Sequence, residues 1–436
     1  MAAPRPSRAR RAGRAGRAVA VVTALATLML AQAASAATLR IACSALGQER
    51  VLCEQGARAW AAETGHTVDL VAIPNSATER LGLYQQLLSA GAGDIDVLQI
   101  DVVWPGLLAE HLVDLGPVLG GQAGDHLGAL VANNTVDGRL VAMPWFIDMG
   151  LLYYRADLLD AHGLDVPETW AELTETARAI QEAERAAGNS DLWGFVWQGR
   201  AYEGLTCNAL EWIASHGGGT VVAPDGAITV DTPQAAAALD RAAGWVGTIS
   251  PPGVLNYAEE EARGLFQAGN AAFMRNWPYA WALAQGDDSP VRGKVGVVPL
   301  PAGPAAPDDQ PAATLGGAQL AVSRYSAHVN EAIDLVRHLT SAEEQTRRAV
   351  QGSFNPSRPA LYTAPEVLSA VPILVDMRPA LDYAVARPST VTGTRYNQVS
   401  TAIFTGVHRV LSGQADGAAG VAAIAARVQR IKRGGW

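Results

Sequence analysis

The stretch from Ile95 to Pro105 is a short apolar, β-branched run that ends in Asp101, Trp104 and a proline. A carboxylate there is a charge-assisted hydrogen-bond acceptor or, next to a second acid, a proton donor or base. An indole offers a flat apolar face. The same chemistry recurs beside backbone that has to turn. Glu49 follows the turn residues Ser44 to Gln48, Trp145 and Asp148 stand just before Gly150, and Trp277 and Tyr279 flank Pro278. Three of the charged positions have a bland alternative. Asp101 is also a cap for the helix that Pro105 opens, Glu49 is favoured by the dipole of the helix it starts, and Arg80 suits a solvated helix start.

The elements around these residues decide where they point. Thr38 to Cys43 alternates as a strand. A helix with Leu52, Gly56, Ala59 and Trp60 on one side follows and ends at Gly65. Thr67 to Pro74 is a second strand, Glu79 to Ala90 a helix, and Ile95 to Asp101 a third strand. Strand and helix in alternation predict a parallel sheet with crossovers. Ligands sit beyond the carboxyl ends of such strands, so Glu49 and Asp101 should emerge at one edge, joined by Arg80. Trp104 is expected to pack beneath that edge.

Leu140 to Tyr154 is long and extended, and predicts a first crossing to a second lobe. That lobe should hold a helix over 168–187, a strand over 193–197, a helix over 203–215, a hairpin at Pro224 to Gly226 and a helix over 232–246. Leu265 to Tyr279 reads as a helix end, a buried strand and an aromatic loop, and a strand follows over 294–299. Thr314 to Val322, with Gly316 and Gly317, is the expected second crossing. A helix from Val329 to Leu339 returns to the first lobe, and the chain crosses back near Thr340. The expected fold is therefore α/β and two-lobed, with three inter-lobe crossings and a cleft between the lobes. Residues 1–36 form a signal peptide, 37–146 plus 317–339 the first lobe, and 147–316 plus 340–436 the second.

The signal segment has a basic region from Arg5 to Arg17, an apolar one from Val19 to Leu30 and a small-residue cleavage site at Ala34 to Ala36. Its apolar run is shorter than the roughly 20 residues a spanning helix needs. Arg10 and Arg11 lack the residues that complete a twin-arginine signal, and Arg40 just before Cys43 does not suit a lipoprotein site, so a soluble, exported protein is expected. Residues 1–36 hold six Arg and no acid, so their removal takes the formal charge from -9 to -15. Such a balance argues against a nucleic-acid partner. Cys43 ends the first predicted strand and Cys53 lies in the first turns of the next helix, so an oxidising compartment could join them, or else they remain two buried thiols, with Cys207 left over. The eight His show no paired spacing, so no metal and no cofactor is expected.

Taken together, the signal segment, the two α/β units, the stretch from Gly269 to Met274 and the aromatic loop resemble the extracellular solute-binding proteins of carbohydrate ABC importers, the family of the maltose-binding protein. Ile95 to Pro105, Pro144 to Tyr154 and Asn276 to Tyr279 are most similar to its trehalose/maltose-binding branch. The resemblance implies a periplasmic, monomeric, non-enzymatic receptor for a small sugar, delivering it to membrane permease subunits with their ATPase. It implies a ligand set of Glu49, Arg80, Asp101, Trp145, Asp148, Trp277, Tyr279, Gly317 and Arg387. As a bare sequence feature Arg387 reads as a surface arginine. The branch often carries an aromatic residue after the Gly-Gly pair, and this chain has Ala318 there. Carboxylates and Arg suit sugar hydroxyls, and flat rings suit the C–H faces. A secreted glycosidase with paired carboxylates is the competing class. Against it, each acid comes from a different loop edge and none lies in a hydrolase-like motif.

Overall fold

β1 (Thr38–Ala42) buries Leu39 and Ile41 completely, and its turn feeds α1 (Gly47–Thr64), which covers the strand with Leu52, Cys53 and Trp60. This is a computed structural model describing residues 1–4, 36–44, 47–303, 310–374, 381 and 383–436. The expected signal segment lies almost wholly outside the described residues. The chain divides into two units, Met1–Ala37 and Thr38–Trp436, and among the described residues every strand and helix belongs to the second.

β2 (Thr67–Leu70), α2 (Ala77–Ser89) and β3 (Val97–Asp101) complete the predicted alternation. Ser76 caps α2 by accepting from the Glu79 amide. β1 lies between β2 and β3 and runs parallel to both, so the ends of β1 and β3 open on one edge. β4 (Met143–Met149) joins the same sheet, and after Gly150 alone β5 (Leu151–Arg155) begins a second one.

The second lobe adds α3 (Trp170–Ala186), β6 (Trp193–Val196), α4 (Glu203–Ser215), α5 (Pro233–Trp245), α6 (Glu259–Gln267), β7 (Ala271–Asn276) and β8 (Val295–Pro299). Its sheet order is β8-β5-β7-β6. β9 (Ala313–Val322) then re-enters the first sheet, antiparallel to both β3 and β4. α7 (Val329–Leu339) and α8 (Ala342–Gly352) follow, then β10 (Asn355–Pro356) and β11 (Ala384–Val385). The first sheet runs β10-β4-β9-β3-β1-β2, with β11 paired to the start of β9. α9 (Tyr396–Leu411) and α10 (Gly417–Lys432) close the chain.

Apolar burial explains the two layers. In the first lobe Leu39, Ile41, Val97, Met143 and Leu320 meet Trp60 and Leu335, while Tyr84, Ile100 and Trp104 fill the opposite face of the sheet. The second lobe is centred on Trp170, Phe195, Trp197, Trp212 and Trp245. The Trp197 and Trp212 rings meet edge to face at 5.0 Å. Such pairs add to the area they bury.

Two expected lobe boundaries move. β4 stays in the first sheet to Met149, so the first crossing falls at Gly150 and not between residues 146 and 147. The chain also does not leave the first lobe at Thr340. Ser341 caps α8 by accepting from the Glu344 amide, and Arg347 Nη2 donates to the Leu52 carbonyl of α1 at 2.7 Å. β10 then pairs with β4. The polar break at 340–341 is a turn between two helices of one lobe. Departure comes after Pro356, where Val367 and Val371 join Met149, Tyr153 and Met274 in a separate core.

Candidate ligand-binding site

The edges of the two sheets border a partly open cavity of about 150 Å³ between the lobes. Six carboxylates (Glu49, Asp101, Asp148, Glu203, Glu259, Glu260) and two guanidiniums (Arg80, Arg387) line it, with the rings of Phe146, Tyr202, Trp277, Tyr279 and Phe354. That excess of acceptors suits a ligand rich in hydroxyl donors.

Every acid of the six but Asp148 is held by a named neighbour. Gln99, buried on β3, accepts from the Ser44 amide at 2.6 Å and donates to Glu49 Oε1 at 2.6 Å, so the turn after β1 and the head of α1 are fixed together. The Cys43–Cys53 disulfide ties that strand end to the same helix, with the Cα atoms 6.5 Å apart. Asp101 ends β3. It accepts from the Val103 amide at 3.2 Å, and also binds Arg387, whose Nη2 and Nη1 donate to its two oxygens at 2.6 and 3.3 Å. Arg387 Nη1 donates as well to Glu203 Oε1 at 2.8 Å. One buried arginine thus joins an acid of the first lobe to an acid of the second. Glu203 also accepts from the Tyr396 hydroxyl, and from Ser400 Oγ at 2.6 Å, which leaves it to hold Arg387 in place.

Asp148 stands apart. Its Oδ1 is buried with no partner although the residue opens onto the cavity. Burial, and then the charge of Glu49, push its carboxyl up from the ordinary 3.8 to about 8. An acceptor held without a donor next to empty space is where a ligand hydroxyl would be rewarded.

The second-lobe wall carries Tyr202, Trp277 and Tyr279. The Arg275 guanidinium lies 3.9 Å over Trp277, whose Nε1 donates to Glu259 at 3.4 Å. Tyr279 donates its hydroxyl to Glu260 at 2.7 Å and lies nearly parallel to Phe354, centroids 6.4 Å apart. Gly317 (φ +117°) passes so close to β4 that a Cβ would sit 2.4 Å from the Phe146 carbonyl. Only glycine fits there.

Of the expected set, Glu49, Arg80, Asp101, Asp148, Trp277, Tyr279, Gly317 and Arg387 line this one cavity. Trp145 does not, and is corrected. It is completely buried, its ring covered by the Arg348 guanidinium at 3.8 Å. Side chains alternate along a strand, so Phe146 and Asp148 share the cavity face of β4 while Trp145 takes the other. Trp104 lies beneath the site, edge-on to Tyr84 at 6.1 Å. Phe146, Glu203, Glu259, Glu260, Tyr202, Phe354 and Gln99 belong to the cavity and are not expected from sequence. Of these only Phe146, two positions before Asp148, is within reach of a simple periodicity rule. Among the described residues no group of His, Cys, Asp and Glu is arranged to hold a metal ion, and no helix is long and apolar enough to cross a membrane.

Comparison with known proteins agrees with this architecture. The chain is 51% identical over 92% of its length to a probable ABC transporter-binding protein of Deinococcus radiodurans, covering 96% of that protein. It superposes on the maltose-bound MalE3 protein of T. maritima with a TM-score of 0.85 and 38% identity, covering 91% of this chain and 100% of that one. The GacH receptor of Streptomyces glaucescens shares the fold at a TM-score of 0.79 and 23% identity, with 92% and 100% covered. Residues 50–346 match the bacterial extracellular solute-binding protein family, and the chain belongs to that family.

Proposed function

We propose that this protein is the exported, periplasmic solute-binding subunit of an ABC sugar importer. It captures a glucose-containing disaccharide of the maltose or trehalose type and presents it to the membrane permease as a monomer. The observation that carries this reading is the cavity itself: acids from both lobes, linked through Arg387, line one partly open cleft together with the rings of Trp277 and Tyr279. The maltose-bound relative at 38% identity supports the sugar class. Where an aromatic residue after Gly317 is missing, Phe146 and Phe354 supply apolar faces on the first-lobe side, their centroids 4.9 Å apart. Sugar hydroxyls pair with Asp101, Asp148, Glu49 and Arg80, and C–H faces stack on the rings. Closure then leaves any unmatched acceptor unpaired, which discriminates among sugars without chemistry.

Calorimetric titration and thermal shift over glucose, maltose, trehalose, sucrose and longer glucans test the reading, since a ligand of the folded state alone raises its stability. Binding of a disaccharide without release of glucose is expected. Release of glucose would instead mark a hydrolase. Asp101→Ala removes one half of the Arg387 link and a charged acceptor, and is expected to weaken binding roughly 10- to 100-fold. Unchanged affinity would place the ligand elsewhere.

A further inference from the structure

The first two crossings between the lobes run over a single buried ion pair. Arg275 of β7 and Glu211 of α4 are both fully buried. Arg275 Nε donates to Glu211 Oε2 at 2.9 Å, its Nη2 donates to Oε1, and its Nη1 donates to Gln198 Oε1 at 3.1 Å. Glu211 Oε1 also accepts from the Thr314 amide at 3.1 Å, at the start of the second crossing. The first crossing touches the same two groups: a Cβ on Gly150 would lie 2.1 Å from Glu211 Oε1 and 2.7 Å from Arg275 Nη2. The backbone there does not need glycine's conformational freedom, so the requirement is for space. The Arg275 guanidinium in turn covers one face of Trp277 at 3.9 Å.

Two crossings and one ring therefore share a rigid neighbour. A bidentate guanidinium–carboxylate pair is planar and fixed in orientation, so a shift of either crossing that moves Glu211 turns the plane against which Trp277 rests. We propose that Arg275 and Glu211 form a positioning pair that couples the two crossings to the angle of the Trp277 ring. The importance of this for capture rests on the cleft being the sugar site. The coupling itself rests only on the contacts of the pair.

The test has one arm without ligand and one with it. In protein carrying ¹⁵N-labelled tryptophan, the Trp277 indole N–H signal is assigned by its loss in Trp277→Phe. Gly150→Ala and Arg275→Lys are each expected to shift that signal while those of Trp60 and Trp170 stay in place. A Trp277 signal unmoved by Gly150→Ala overturns the proposal, and so does a shift of all indole signals together, which marks general disruption. Should Arg275→Lys fail to fold, Glu211→Gln takes its place in both arms. In the second arm, with maltose and trehalose as probes, Arg275→Lys is expected to raise Kd about tenfold in the parent and less than about twofold in a Trp277→Ala background. Equal losses in the two backgrounds overturn the proposal. If neither sugar binds the parent protein, the sugar reading falls, and the indole signals still decide the coupling.

Discussion

Arg275 and Arg348 are both buried beneath the cleft, one under each wall, and they are held in opposite ways. Arg275 has a partner for its charge and for three of its nitrogens. Arg348, on α8, has none of its nitrogens hydrogen-bonded. It lies in a cage of rings, 3.8 Å from Trp145, 4.5 Å from Phe354 and 5.3 Å from Phe146. Burial pushes the Arg348 guanidinium down to about 10 despite Glu49 and Glu344, whereas at Arg275 burial is offset by the charge and hydrogen bonds of Glu211 together with the other acidic groups around it, so the guanidinium is held up. Removing a paired charge strands its partner, and removing an unpaired one strands nothing. Burial alone thus does not say what a charged residue contributes.

The largest expected effect comes from breaking the paired side. Arg275→Met leaves the Glu211 carboxyl, which burial already pushes up, dry and without its guanidinium partner, and should cost about 3–5 kcal/mol by denaturant unfolding. Replacing both partners, as Arg275→Met with Glu211→Leu, is expected to restore more than half of that loss. A double variant no better than the single would show that the pair contributes net stability. Arg348→Met keeps the apolar stem inside the cage and should change stability by about 1 kcal/mol or less, the lost cation–π attraction offsetting the relieved burial. A loss as large as that of Arg275→Met would erase the distinction between the two arginines.

Asp148 sharpens the contrast, because both guanidiniums act to lower its raised carboxyl. A group whose pKa is raised on folding stabilises the fold fully below its ordinary value, 3.8, and loses that contribution as pH climbs through about 8. Asp148→Asn is therefore expected to remove a declining component from the stability–pH curve of the ligand-free protein between those limits. Arg348→Met should extend that decline to higher pH. An identical curve for Asp148→Asn would show that this carboxyl does not titrate across the range.

Much of the first lobe is legible in the sequence. Apolar strands ending in a turn place Glu49 and Asp101 at one edge because parallel strands share a direction, and β1 and β3 do so. What periodicity does not reveal is facing. Trp145 and Asp148 group together by proximity to Gly150, although residues three apart on a strand point to opposite sides. Glu203, Glu259 and Glu260 are illegible for a different reason. Acids in the first turn of a helix are expected from the dipole alone, and nothing in a local pattern says that the turn opens on a cleft. Thr340 misleads because a helix–helix turn and a lobe crossing share the same polar break.

With the cleft as the ligand site proposed above, the bridge through Arg387 bears on how long a ligand stays. Two charge contacts span the mouth of the cleft, Arg387 to Asp101 in the interior and Arg200 to Glu79, 2.7 Å apart and about half exposed, at the rim. Dissolved ions weaken the exposed rim pair and screen the buried inner one much less. Raising the ionic strength should therefore loosen the rim while the interior latch still resists opening, so that dissociation quickens only slightly with salt. On that proposed reading, residence time then depends mainly on a contact that the salt of the surrounding medium adjusts little.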